Sequence, residues 1–126
     1  MVTAKILLAE DDKFLATAMS DKLGREGFEV LHSANGVQAL ELARSGSPDL
    51  ILLDLIMPQK TGFEVLAELK LDPKLKKIPV IILSNLGQES DIEKAKSLGA
   101  VDYLVKSDVQ MKEVVEKIKQ VLASNK

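Results

Sequence analysis

Five side chains of the kinds used in phosphoryl transfer stand at the ends of short apolar runs. They are three carboxylates, a hydroxyl and an ammonium, contributed by Glu10, Asp11, Asp54, Ser84 and Lys106. Carboxylates bind hard divalent cations such as Mg²⁺, and lysine and serine side chains can bind phosphate oxygens. Phosphoryl transfer asks mainly for such positioning and charge neutralisation. These residues predict a phosphoryl-transfer site if the fold brings them together.

Asp54 is the candidate phosphoryl acceptor. It ends the apolar run Leu50 to Leu53, which is too short for a helix and predicts a strand buried on both faces. The carboxyl end of such a strand lies at the ligand-binding edge of an open α/β sheet. Three carboxylates about 5 Å apart would repel by roughly 3 kcal/mol per pair at an effective dielectric near 20. They therefore need a cation or a proton.

The elements that must position these residues alternate regularly. Four more apolar runs predict strands, at Lys5 to Ala9, around Phe28 and Val30, at Val80 to Leu83, and at Val101 to Val105. Each strand is followed by a helical pattern, opened in turn by Asp12, Asn35, Thr61, Ser90 or Asp91, and Met111. Five strands alternating with five helices predict an α/β fold, a parallel sheet with helices on both faces. The second and fifth strands are the least apolar, so we expect them at the edges. Edge positions for these two strands agree with 2-1-3-4-5, an order already common among doubly wound folds, which composition alone does not establish.

Length and composition exclude several classes of protein. The 126 residues suffice for one domain with a real core, which we expect over residues 1–126. No apolar segment approaches the ~20 residues of a membrane span, and no secretory signal follows the first residues. The absence of cysteine excludes disulfides and thiolate sites and suits a cytoplasmic protein. A net charge of −2 and 3% aromatic residues argue against direct nucleic-acid binding.

Over essentially its whole length the chain resembles the receiver domain of response regulators. The matching features are the pair Glu10-Asp11, the segment Asp54-Leu-Ile-Met-Pro58 with Gly62, Ser84, and Lys106 after Tyr103-Leu-Val. The resemblance implies a flavodoxin-like fold and a phosphorylation-dependent switch of a two-component or phosphorelay system. It implies no enzyme beyond autocatalytic phosphotransfer and autodephosphorylation.

The resemblance also implies a role for each site residue. Asp54 would take a phosphoryl group from a phosphohistidine of a sensor histidine kinase or a histidine phosphotransfer protein. Mg²⁺ would be bound by Asp11, Asp54 and the main-chain carbonyl of Ile56, and Glu10 would reach it through water. Lys106 would contact Asp54 or the phosphoryl group.

Two further residues are implied to form the switch. The Ser84 hydroxyl would move toward the phosphate, and the Tyr103 ring would turn inward. A downstream protein partner would bind the fourth helix, fifth strand and fifth helix, while the first helix would face the phosphodonor. No membrane is implied, and the protein would be a monomer or would dimerise on phosphorylation.

Four residues depart from the usual receiver pattern. Ser107 follows Lys106 where most receivers have proline, and we expect a trans bond there because a cis bond costs ~2.5 to 4 kcal/mol without proline. Asn85 occupies a place that is usually small. Ile56 and Leu86 are expected to flank the site with apolar side chains, which cannot orient an attacking water. The aspartyl phosphate is therefore expected to be long-lived.

Three other functions remain open on the sequence. A phosphatase with an aspartyl phosphoenzyme would normally carry a second acid two residues after the nucleophile, where this chain has Ile56. A flavodoxin-like cofactor module would place hydroxyls and amides, rather than acids, after the first strand. The third alternative is an unphosphorylated receiver-like scaffold, which Ser107 and Asn85 favour.

Several residues also have a purely structural interpretation. His32 is the only histidine and has no second ligand nearby in sequence, so we expect a structural or solvated role. Phe14, Met19 and Met111 are expected in the core. Ser84 could simply end its strand, and Asp12 could act only as a helix cap.

Overall fold

The computed structural model describes residues 3–124, which form ten alternating elements. The strands are β1 (Lys5–Ala9), β2 (Glu29–Ser33), β3 (Leu50–Leu53), β4 (Val80–Ser84) and β5 (Asp102–Val105). The helices are α1 (Lys13–Arg25), α2 (Gly36–Gly46), α3 (Gly62–Leu71), α4 (Glu89–Ser97) and α5 (Met111–Ser124). None of the helices within residues 3–124 is long and apolar enough to cross a membrane.

All five strands form one parallel sheet in the order β2-β1-β3-β4-β5. The predicted α/β class, sheet order and number of elements are confirmed. The strand predicted to be buried on both faces, β3, is the middle strand of the sheet, and helices cover both of its sides.

The two faces of the sheet support two separate layers of core. On one face, Leu7, Ile51 and Ile82 belong to a cluster with side chains of α2, α3 and α4. On the other face, Leu8 and Leu52 belong to a cluster with side chains of α1 and α5. Each fully buried Leu or Ile contributes about 1.5–3 kcal/mol relative to exposure. The two layers pack against both faces of the sheet, beneath the loops at its carboxyl edge.

Local capping fixes where three of the helices begin. Asp12, Asn35 and Thr61 are extended residues whose side chains accept a hydrogen bond from a backbone N–H in the first turn, as predicted. Thr61 and Glu64 form a reciprocal capping box. The first turns of α1, α2 and α3 therefore start immediately beyond the loops that follow β1, β2 and β3.

The prediction for the start of α4 was wrong by one or two residues. The helix begins at Glu89, and Gln88 is its N-cap without a side-chain hydrogen bond. Glu89 and Asp91 lie in the first turn, where acidic side chains interact favourably with the helix dipole. An acidic residue or serine near the start of a helix can therefore lie in the first turn as well as at the N-cap, so it does not by itself locate the N-cap.

Of the three residues predicted to be in the core, Phe14 is not. Its side chain is 91% exposed, whereas Met19 is buried and Met111 is partly buried against the core. The inward face of α1 is set by Met19 and Leu23, four residues apart, and Phe14 lies off that face. The bond between Lys106 and Ser107 is trans, as predicted, because no cis peptide occurs in residues 3–124.

Candidate functional site

Hydrogen bonds beyond the strand ends bring the site residues to one edge of the sheet. Asp54 N–H donates to the carbonyl of Ala9 at 3.1 Å, which joins the loops after β3 and β1. Lys106 N–H donates to the carbonyl of Ser84 at 2.9 Å, which joins the loops after β5 and β4. The parallel topology thus places all four loops at the same edge, as the sequence predicts.

A cavity of about 290 Å³ opens at this edge. Its acidic wall consists of Glu10, Asp11, Asp12 and Asp54. The remaining wall is formed by Ile56, Ser84, Asn85 and Lys106. All the residues predicted as acceptor, metal ligands or charge partners therefore line one cavity. Tyr103 is not among the lining residues.

Lys106 lies between two buried carboxylates. Its Nζ is 2.6 Å from Oε1 of Glu10 and 2.9 Å from Oδ2 of Asp54. Burial alone would lower the pKa of the Lys106 ammonium, but hydrogen bonds to Glu10 and Asp54 outweigh it and leave the pKa raised. Lys106 is therefore a fixed positive charge beside the carboxylate of Asp54.

Glu10 is held by its backbone as well as by its carboxylate. Its N–H donates to Ser33 O at 2.9 Å, and its carbonyl lies 2.8 Å from Nε2 of His32. The carboxylate accepts from Asp12 N–H at 3.0 Å in addition to the Lys106 ammonium. Burial raises the pKa of the Glu10 carboxyl, and the hydrogen bonds from Lys106 and Asp12 only partly offset that rise.

Three carboxylates lie close enough to share a cation. Ligand oxygens of Glu10, Asp11 and Asp54 lie within 4.8 Å of one another. Oxygen ligands at an open, partly solvated site suit Mg²⁺, which binds one or two carboxylates and keeps other positions for water and phosphate. Asp11 is exposed, whereas Glu10 and Asp54 are buried. The donor set therefore fits a hard divalent cation.

Ser84 and Tyr103 are connected through the peptide groups around Leu86. Ser84 is fully buried, and its hydroxyl oxygen lies 3.4 Å from Leu86 N–H, which donates to it. The Tyr103 hydroxyl donates to the carbonyl of Leu86. The Tyr103 ring is only 9% exposed, so it already points inward in this structure. Burial raises the pKa of the Tyr103 phenol, and the charges of Asp91 and Asp54 add to that rise.

The comparison with protein families agrees with this geometry. The family model described as "Response regulator receiver domain" matches residues 6–119. The chain belongs to this family. Receiver domains are signalling switches of two-component systems that act through phosphorylation, bind Mg²⁺ at an acidic pocket, and interact with histidine kinases or phosphotransfer proteins and with downstream effectors.

This receiver is similar to one relative of nearly its own length and to another about twice as long. It is 32% identical to "Polar-differentiation response regulator DivK" of Brucella ovis over 121 residues, covering 96% of this chain and 98% of DivK. It is 42% identical to "Transcriptional regulatory protein CpxR" of Klebsiella pneumoniae over 118 residues, covering 94% of this chain. The chain spans about half the length of CpxR, 49%. The receiver domain of Francisella response regulator 1452 superposes with a TM-score of 0.91 at 28% identity, covering 98% of this chain and 100% of that one.

The residues that depart from the usual receiver pattern occupy different environments. Ile56 is 58% exposed and lines the cavity, and its N–H donates to Oδ1 of Asp54 at 3.3 Å. Asn85 also lines the cavity. The expectation that Leu86 flanks the site was wrong, because its side chain packs against the core on the face covered by α2, α3 and α4. Among the described residues that line the cavity, Ile56 is the one with an apolar side chain.

Two contacts of the receiver's site were missed by sequence reasoning. The His32 ring bonds to the backbone of Glu10. The predicted sheet order places the ends of the first two strands side by side, but it does not specify this side-chain contact. The sequence leaves open whether Asp12 is only a helix cap, and the structure shows that it both caps α1 and lines the cavity. Its position directly after Glu10-Asp11 was the available signal for the second role.

Proposed function

We propose that this receiver accepts a phosphoryl group on Asp54 from a phosphohistidine and thereby changes which protein it binds. The observation that carries the proposal is the environment of the Asp54 carboxylate. It is buried at the edge of a cavity, it is hydrogen-bonded to Lys106, and it lies within reach of two further acids. The phosphodonor would be a sensor histidine kinase or a histidine phosphotransfer protein.

In the transfer step, an oxygen of the Asp54 carboxylate attacks the phosphorus atom of the phosphohistidine. The new oxygen–phosphorus bond forms as the nitrogen–phosphorus bond breaks. Neutral imidazole leaves with the electron pair of the broken bond when its other ring nitrogen carries a proton. Lys106 is already 2.9 Å from Oδ2 of Asp54 and can stabilise the negative charge that develops on the transferred oxygens.

Mg²⁺ is the cofactor that fits the acidic wall. Asp11, Asp54 and the main-chain carbonyl of Ile56 would bind it directly, and Glu10 would do so through water. When bound, the cation would neutralise negative charge on the phosphoryl oxygens. Glu10 already shares Lys106 with Asp54, so the residues around the acceptor carry both the negative and the positive charge that this chemistry requires.

We infer that Ser84 and Tyr103 form the switch, with the Leu86 peptide groups connecting them. A phosphoryl group on Asp54 would attract the Ser84 hydroxyl, which now accepts from Leu86 N–H. Movement at Ser84 would then reach Tyr103 through the carbonyl of Leu86. The surface of α4, β5 and α5 would present this change to a downstream protein partner, while α1 would face the phosphodonor.

We expect this receiver to work in the cytoplasm, without direct contact with nucleic acid or membrane. It would be a monomer, or a dimer formed on phosphorylation. A pull-down that compares phosphorylated wild type with Asp54→Asn would identify the partner. Sedimentation of the same two samples would measure the oligomeric state.

Incubation with Mg²⁺ and a small acyl phosphate tests the acceptor directly. Wild type should gain one phosphoryl group by intact-protein mass spectrometry, and hydroxylamine should remove it, as expected for an acyl phosphate. Asp54→Asn should gain none, whereas Asp21→Asn, on the exposed side of α1, should behave as wild type. No gain in wild type, or an equal gain in Asp54→Asn, would leave the unphosphorylated scaffold as the better account.

A further inference from the structure

His32 lies on β2, one residue before the backbone pairing between β1 and β2 ends. The paired residues end at Ala9 and Ser33, and Glu10 N–H adds one more bond, to Ser33 O at 2.9 Å. Beyond Ser33 the chain turns into α2, whose N-cap is Asn35. The next acceptor on the β1 side, the carbonyl of Glu10, is instead 2.8 Å from Nε2 of His32.

The direction of this hydrogen bond follows from its partners. A carbonyl oxygen can only accept, so Nε2 of His32 must carry a proton and donate. The imidazole therefore extends the pairing between the two strands by one step through a side chain. The bond fixes the peptide group that joins Glu10 to Asp11, at the point where the buried strand becomes the acidic loop.

That peptide group controls two of the three clustered carboxylates. Glu10 and Asp11 are its two residues, and their ligand oxygens lie within 4.8 Å of each other and of Asp54. Like charges at this distance repel by roughly 3 kcal/mol per pair at an effective dielectric near 20. A loop under such repulsion needs restraint from its backbone to keep the carboxylates converging.

We propose that His32 is a positioning residue of the acid cluster, holding the Glu10–Asp11 peptide so that both carboxylates face a divalent cation. The cation part of this inference rests on the proposed function. His32 is exposed, so replacing it opens no cavity in the core. Replacing His32 should therefore change amide exchange and Mg²⁺ affinity at the acid cluster more than it changes the stability of the fold.

The test compares His32→Leu, which cannot donate, with His32→Gln, whose side-chain amide can. Without metal, hydrogen exchange followed by NMR should show faster exchange of the Glu10 and Asp12 amides in His32→Leu, with His32→Gln close to wild type. In calorimetric titration with Mg²⁺ alone, His32→Leu should bind roughly tenfold more weakly, and His32→Gln should recover most of the affinity. Glu29→Gln, at an exposed position of the same strand, is the matched control.

The outcomes separate the two proposals. If wild type does not bind Mg²⁺, the metal site of the proposed function fails and the cation part of this inference fails with it. If wild type binds Mg²⁺ and His32→Leu binds it equally well, with unchanged amide exchange, only the role of His32 is overturned. A lower melting temperature of His32→Leu with unchanged Mg²⁺ affinity would also overturn it, since that is the result of a purely structural histidine.

Discussion

At the scale of single residues, Tyr103 and Lys106 show two ways in which a polar group is kept inside this receiver. Lys106 remains charged because two carboxylates offset its burial. Tyr103 remains neutral because it is buried and faces acidic charge, and its hydroxyl donates to the Leu86 carbonyl. The first group provides positive charge at Asp54, and the second is hydrogen-bonded to the loop after β4.

The environment of Tyr103 predicts a measurable titration. The chain has one tyrosine and no tryptophan, so tyrosinate absorbance reports this group alone. Its pKa is raised above the ordinary value of 10.0, chiefly by burial, so the folded protein should ionise at higher pH than the urea-unfolded protein. Because the unfolded state loses its proton first, stability should fall as pH rises from about 10 through the folded pKa. Equal midpoints in the two states would contradict this environment.

Ile56 is the residue that should limit hydrolysis of the aspartyl phosphate. Ile56 lines the cavity beside Asp54, and its apolar side chain cannot hydrogen-bond to a water molecule. Ile56→Asn should shorten the lifetime of the phosphorylated form roughly tenfold, because an oriented water is a better nucleophile. Loss of the phosphoryl group can be followed by mass spectrometry after the phosphodonor is removed.

Val101→Asn is the matched control for Ile56→Asn. Val101 is half exposed like Ile56, but it lies next to the amino-terminal end of β5, at the edge of the sheet remote from Asp54. Its substitution should leave the lifetime unchanged. A short lifetime in wild type that Ile56→Asn does not alter would show that the apolar side chain is not what protects the phosphate.

At the scale of elements, close packing between a loop and a helix start fixes the acceptor's backbone. Gly62, the first residue of α3, donates its N–H to Leu55 O at 2.9 Å. An added Cβ at Gly62 would lie 2.2 Å from the carbonyl oxygen of Asp54 and 2.6 Å from Cα of Leu55. Both obstacles are backbone atoms that cannot rotate away. The start of α3 therefore approaches the Asp54 peptide as closely as a glycine allows.

Gly62→Ala should therefore destabilise the protein by about 2–3 kcal/mol, measured by urea unfolding. Gly24→Ala is the contrasting substitution, because Gly24 is exposed within α1 and an added Cβ there meets nothing within 4 Å. It should stabilise the protein by about 0.5–1 kcal/mol through helix propensity. Shifts of the same sign for the two variants would mean that the backbone around Asp54 adapts to the extra methyl group.

The sequence predicted those elements whose signals are local. Continuous apolar runs marked β1, β3 and β4 because burial on both faces requires them, and Asp12 and Thr61 marked helix starts through their own side-chain bonds. The convergence of Asp54 and Lys106 could be predicted from the parallel topology. The exposure of Phe14 could not be predicted, since an apolar residue beside the inward face of a helix fits the helical spacing of core residues as well.

Other details of the site depend on side-chain geometry that no spacing rule contains. The sequence could place Lys106 near the acids, but not between Glu10 and Asp54. It could suggest a structural role for His32, but not the bond to the Glu10 carbonyl. The inward side chain of Leu86 likewise depends on how the loop after β4 closes over the core. Such contacts are decided by neighbours distant in sequence.

At the scale of the whole molecule, the acid cluster works against the stability that the two core layers provide. Ligand oxygens of Glu10, Asp11 and Asp54 lie within 4.8 Å of one another, and among the residues described Lys106 is the cation paired with Glu10 and Asp54. Repulsion at that distance is roughly 3 kcal/mol per pair at an effective dielectric near 20, and less where solvent and salt reach the charges. The metal-free fold therefore carries a cost at the site where the cation would bind.

Asp11→Asn should reveal this cost through a reversal of thermal stability. Asp11 is exposed, so screening leaves a gain of about 1 kcal/mol when its charge is removed, or about 4 °C in melting temperature without metal. Mg²⁺ at 100 times its dissociation constant would stabilise wild type by about 2.7 kcal/mol. Asp11→Asn should gain much less, since it has lost a ligand. Wild type should thus melt below the variant in chelator and above it in Mg²⁺.

Asp21→Asn separates this local effect from a change in net charge. Asp21 is an exposed acid of α1 outside the cluster, so its variant should follow wild type through the whole Mg²⁺ titration. Parallel curves for wild type and Asp11→Asn would instead mean that Asp11 neither repels its neighbours nor binds the cation. If only the melting-temperature curve of Asp11→Asn crosses that of wild type as Mg²⁺ is added, the Asp11 carboxylate both destabilises the metal-free fold and binds Mg²⁺. Binding of the cation would then offset the repulsion within the acid cluster.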